Sequence, residues 1–189
     1  MTALEPMRAL TLKPWWAHAV AFLDKDIENR AKPPPEALIG KRIAIHAGAP
    51  TWASTAWLDE IDRAMGRERR RMWVRRHRDR HGHLTDPGGT IVPLMEPTLY
   101  ARPGLAQVRA IVATADLAGI LHDHNPRPRW GIEGMVWWML RDVRPLYQPV
   151  HVERGQLGLW RLPPEVDAVV RRRECLPWGV RDPLEVSRG

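Results

Sequence analysis

Residues 10–48 read LTLKPWWAHAVAFLDKDIENRAKPPPEALIGKRIAIHAG, and two backbone periods alternate within them. Pro14 at a first helical position, followed by Trp16, Ala19, Val20 and Leu23 at the i, i+3, i+4, i+7 spacing, predicts a short amphipathic helix over about 14–23. Trp16 belongs to its core face, whereas Trp15, His18 and Phe22 fall on a neighbouring face where Trp15 can wall a cavity. Ile27 to Arg30 and Lys41 to Ala47 alternate instead with period two and read as strands. In the first strand Glu28 and Arg30 share a side, so they either pair with each other or jointly face a ligand. In the second, Ile43, Ile45 and Ala47 take one side and Arg42, Ala44 and His46 the other. The intervening AKPPPEALIG is a proline-rich loop.

The same stretch carries Lys13, Lys25, Lys32 and Lys41, the only lysines in a chain with 25 arginines. A lysine ammonium can lose its proton when buried, while a guanidinium stays charged and grips planar anions through parallel bonds. Lysines gathered beside Glu28, Asn29 and Arg30 therefore mark a candidate site. Four solvated surface lysines would give the same pattern.

At 189 residues the chain is long enough for one packed domain with a sizeable insertion and short for two. Its single cysteine, Cys175, excludes an internal disulfide framework. The opening MTALEPMRAL lacks the apolar run of a signal peptide, and no stretch has the length of a membrane span, so a cytoplasmic protein is expected. The net charge of +7 is uneven. Residues 67–80, RERRRMWVRRHRDR, set eight arginines against Glu68 and Asp79, a block that attracts polyanions, nucleic acid first. Arg69, Arg70, Arg71, Arg75 and Arg76 are its candidate phosphate contacts, and Trp73 among them can stack on a base. A solvated helix face would look alike.

Residues 53–66 show a helical pattern through Trp57, Ile61 and Met65, and 82–105 are rich in Gly and Pro without a period, so 49–105 reads as a helical, basic insertion. Further strands are signalled at 107–117, 135–143, 149–152 and 157–162. Pro163 and Pro164 lead a short charged helix over about 164–173, followed by a tail to Gly189. Several strands around one early helix, with too few βαβ units for a parallel sheet, predict a small mixed β-barrel of the α+β class.

Three passages resemble the ASCH domain, a family of the PUA-like group of small barrels. They are LTLKPWW, KDIENR with GKRIAIHAG, and the late run WGIEGMVWWMLRDVRPLYQPVHVERGQLGLWRL. The likeness extends over residues 8–163, interrupted by the 49–105 insertion, with 164–189 as a C-terminal helix and tail. Asp24 departs from it, standing where a glycine commonly precedes the motif lysine, and Ala31 to Lys32 lacks the usual aromatic. The resemblance implies a ligand cleft between the first helix and the barrel, lined by Lys13, Trp15, Lys25, Glu28 and Arg30. It also implies a role with RNA, nucleotides or modified nucleobases, some members hydrolysing acylated cytidine and others cleaving RNA. Fold alone does not choose among these.

Cations for phosphate, an indole for a base and a carboxylate for base N–H groups are all present, which favours a nucleic-acid or nucleotide binding module. A metal-independent amidohydrolase or ribonuclease is the alternative, with Lys25 and Glu28 as catalytic candidates and His46 as a weaker one. The hydrolytic members place a threonine three residues after the lysine, where this chain has Glu28, and Glu133 is the nearest candidate for their distant acid. A protein-interaction module with an arginine-rich contact segment is the third reading. His77, His81 and His83 lie among arginines that oppose a cation, so neither a metal nor a cofactor is expected.

Overall fold

The computed structural model describes residues 5–49, 84–85, 91–92, 109–121, 127–177 and 179–186. The helix expected over 53–66 and the arginine block lie outside them. The chain divides into two units, Met1–Pro50 with Gln107–Gly189, and Thr51–Ala106. Of the second, two short strands are described, β4 (Leu84–Thr85) and β5 (Ile91–Val92), paired antiparallel.

The first unit is a mixed α+β fold built on a curled six-stranded sheet, a half-barrel. Its strands are β1 (Arg8–Leu12), β2 (Ile27–Arg30), β3 (Arg42–Ala47), β6 (Ala110–Leu121), β7 (Val136–His151) and β8 (Leu159–Arg161). They lie in the order β2-β7-β6-β3-β1-β8, where only β1 and β3 run parallel. Between β1 and β2 stands helix α1 (Pro14–Phe22), and after β8 come α2 (Pro164–Glu174) and the single turn α3 (Pro183–Val186).

Strand alternation splits the interior into two cores, one on each face of the sheet. Leu10, Leu12, Ile43, Ile45, Ala113, Ala115 and Leu117 meet Ala17, Val20 and Ala21 of α1. The small alanines let the helix lie close to the strands, and each fully buried aliphatic side chain contributes about 1.5–3 kcal/mol. Ala9, Ala44, Ile111, Leu146, Val150 and Trp160 form the other core with Val170 of α2. That helix starts on Pro164, carries Glu165 and Asp167 in its first turn and Arg171, Arg172 and Arg173 in its last, which complements its dipole.

Two strands expected over 135–143 and 149–152 are one, running through Pro145 and Pro149. Strand β2 covers β7 only from Val136 to Met139, so beyond that point, with no further strand on that edge among the described residues, a missing N–H costs no ladder bond there. Bulges around Asp142, whose φ is +43°, bend the strand there. Asp24 adopts φ +55° just after α1, the left-handed conformation that a glycine commonly supplies and that an aspartate tolerates.

Candidate functional site

Lys25, Glu28 and Arg30 converge. The turn after α1 places Lys25 against the helix, its amide donating to the Ala19 carbonyl at 3.1 Å. From there β2 carries Glu28 and Arg30 on one side, toward α1, while Asn29 faces the opposite way and clasps the 127–135 loop. Its amide donates to the Trp130 carbonyl, and its oxygen accepts from the Ile132 amide, both at 2.8 Å. Trp130 Nε1 in turn donates to the Asp24 carbonyl at 2.9 Å. The backbone on both sides of Lys25 is thereby fastened.

Both oxygens of the Glu28 carboxylate are engaged by cations. Lys25 Nζ lies 3.0 Å from Oε2 and Arg30 Nε lies 3.0 Å from Oε1. Lys25 also donates to the Ile27 carbonyl. Exposure separates the three: Lys25 is 2% exposed, whereas the Arg30 side chain is 28% exposed. Burial pushes the Lys25 ammonium below the usual lysine range, an effect that the Glu28 carboxylate opposes. Around them stand indoles. Lys25 Nζ is 5.5 Å from the Trp16 ring centre, the Arg30 guanidinium is 5.8 Å from that of Trp138, and Trp16 meets Trp130 edge to face at 6.2 Å. Arg30 Nη2 reaches the Thr11 carbonyl at 3.3 Å.

Several expectations are redistributed. Trp15 is buried and Trp16 half-buried; Trp16 packs against the α1-side core as helical spacing assigned, and its indole is also the one beside Lys25. The helix meets the sheet through Ala17, Val20 and Ala21, so its buried face is wider than the predicted stripe and takes in Trp15. Lys13 is exposed, its Nζ 5.4 Å from the Trp15 ring centre. Glu133, a 94% exposed side chain, lies 3.9 Å from Arg127 and outside the cluster. Trp130 and Trp138 carried no local signal of their role, because in sequence they lie about a hundred residues from Lys25. Arg69, Arg70, Arg71, Trp73, Arg75 and Arg76 lie outside the described residues.

His46 belongs to the α2-side core. Its Nε2 is 3.1 Å from the Val152 carbonyl, which can only accept, so that nitrogen carries the proton and Nδ1 accepts from the Thr11 hydroxyl at 3.2 Å. Trp160 Nε1 donates to the same hydroxyl at 3.0 Å. Both ring nitrogens are thus satisfied within the core, and burial lowers the imidazole's pKa.

What the fold defines is a curled mixed sheet with a charged cluster under its first helix. No protein-family model matches the chain, and no curated protein matches it significantly. Among the described residues, no helix is long and apolar enough to cross a membrane.

Proposed function

We propose that this chain is an ASCH-like, PUA-like binding protein for RNA, single-stranded nucleic acid or a nucleotide, held at the Lys25, Glu28 and Arg30 cluster. One observation carries the reading: a carboxylate is flanked by two cations, one beside the Trp16 indole and the other beside the Trp138 indole. A planar base needs an aromatic face and an acceptor for its N–H groups, and its phosphate needs a cation. By its charge, the arginine-rich stretch 67–80 attracts polyanions independently of that cluster.

Binding of a labelled single strand, measured across salt concentrations, tests this. When Arg69, Arg70, Arg71, Arg75 and Arg76 become alanine, the logarithmic slope should flatten by about 0.7 for each phosphate no longer neutralised. Binding indifferent to salt would remove the electrostatic part.

A metal-independent hydrolase acting on an acylated nucleoside is the second reading, favoured by the lowered pKa of Lys25. An amine nearer neutrality can exchange a proton with a reacting group. Turnover of acylated cytidine that persists in Lys25→Ala would exclude Lys25 from that chemistry.

A further inference from the structure

Glu28 is already occupied on its more exposed side, and the occupant is informative. Arg30 brings a flat, cationic N–C–N fork over the Trp138 ring at 5.8 Å, with Nε 3.0 Å from Glu28 Oε1 and Nη2 donating to the Thr11 carbonyl at 3.3 Å. The Nε–H is not aligned for a hydrogen bond to the carboxylate, despite the short separation. Arg30 is thus held by a poorly aligned ion pair and a long hydrogen bond, and it is the most exposed of the three charged groups. Lys25, by contrast, is buried on the other carboxylate oxygen, so Glu28 keeps a cationic partner when Arg30 leaves.

We infer that Arg30 is an internal stand-in for a guanine base, occupying the position between Glu28, the Thr11 carbonyl and the Trp138 face until ligand displaces it. Guanine contains the same unit: N1–H and the 2-amino group are donors on two nitrogens joined through one carbon, within a flat stackable ring. The two acceptors, one carboxylate oxygen and one backbone carbonyl, match two such donors. Adenine, cytosine and uracil place no two donors side by side along the corresponding edge and leave one of these acceptors opposed by another. The inference deepens the nucleotide-binding reading and rests on it. Once displaced, the Arg30 guanidinium is free to meet a phosphate, so nucleosides lacking phosphate isolate its competing role.

The experiment is a calorimetric titration of the full chain with guanosine, inosine, adenosine and cytidine, repeated on Arg30→Ala, Arg30→Met and Glu28→Gln. The methionine variant keeps the length of the stem over Trp138 and guards against a packing defect in the alanine variant. Guanosine should bind both Arg30 variants about tenfold tighter than the parent, the size expected for releasing an exposed ion pair and a cation–π contact. Inosine, which lacks the 2-amino group, should bind more weakly than guanosine, and Glu28→Gln should lose the preference between them. Unchanged or weaker guanosine binding in both Arg30 variants overturns the inference, as does equal affinity for the four nucleosides, while binding of nucleotide or RNA by the parent would leave the broader reading standing. If neither nucleosides, nucleotides nor single-stranded RNA bind any form, the broader reading fails and the inference with it.

Discussion

At the scale of single residues, Glu28 holds two cations and each cation has a different claim on it. Glu28→Gln strands the buried Lys25 ammonium, whereas Lys25→Met leaves the carboxylate paired with Arg30. Removing one partner of a buried pair typically costs about 3 kcal/mol or more, so urea unfolding should show the larger loss, about that size, for Glu28→Gln and a smaller one for Lys25→Met. Equal losses would mean that Arg30 does not support the carboxylate. Gly155 gives a second prediction. A Cβ there would stand within hydrogen-bonding distance or less of Thr11 Oγ1 and the His46 ring, too close for any carbon. Gly155→Ala should destabilise by about 1–3 kcal/mol in the same measurement, as overpacking does. The sequence marked Lys25 by residue type, and Glu28 and Arg30 by residue type and their two-residue spacing. It carried no mark for Gly155, because the clash is with side chains more than a hundred positions away.

At the scale of elements, acid should loosen α1 and β3 before the carboxylates respond. Burial lowers His18 on α1 from 6.5 to about 4 and also lowers His46 on β3. The unfolded chain takes up these protons first, so stability is complete above pH 6.5, falls on acidification, and for His18 stops falling near pH 4. Thermal melts from pH 7.5 to 4.5 should show a declining midpoint, and histidine NMR titrations should find His18 protonating near 4 and His46 below the usual imidazole range. Rings that protonate near 6.5 would contradict the burial. Asp182 acts in a lower window. Its carboxylate accepts from Arg172, Arg173 and the Leu184 amide, and its own amide donates to Gln148 on β7. Hydrogen bonding from Arg172 leads the causes that depress it to about 2, so its contribution fades only between pH 3.8 and 2. Asp182→Asn should free the final segment, read as faster proteolysis at Arg181 with the core intact. Most element positions were legible from periodicity. The continuity of β7 was not, since proline is tolerated there because, among the described residues, no strand pairs with its outer edge beyond Met139.

For the whole molecule, the two cores lie in the unit formed by Met1–Pro50 and Gln107–Gly189. The chain leaves and rejoins this unit at one place, where the Arg109 amide donates to the Gly48 carbonyl at 3.3 Å. Replacing 51–106 by a short Gly/Ser linker should therefore preserve a cooperatively folded sheet, since closing a short loop costs little entropy. Circular dichroism and a single sharp urea transition would show it. A non-cooperative product would mean that the second unit is needed for folding. If the arginine stretch is the strand-binding surface, this shortened protein should keep nucleoside binding and lose the salt-dependent part of single-strand binding.

The sequence by itself determined the local conformations: a proline-started helix, alternating strands on either side of it, and a carboxylate sharing one strand face with a guanidinium. Those follow from backbone periods and from the φ preferences of single residues, which act over a few positions. Only the tertiary structure decided that Trp16 rather than Trp15 adjoins Lys25, that Trp130 and Trp138 complete the cluster, and that His46 is absorbed into the far core. Such contacts join residues a helix turn to a hundred positions apart. They depend on how α1 rotates against the sheet and how far β7 extends, quantities set by packing volume and sheet curvature.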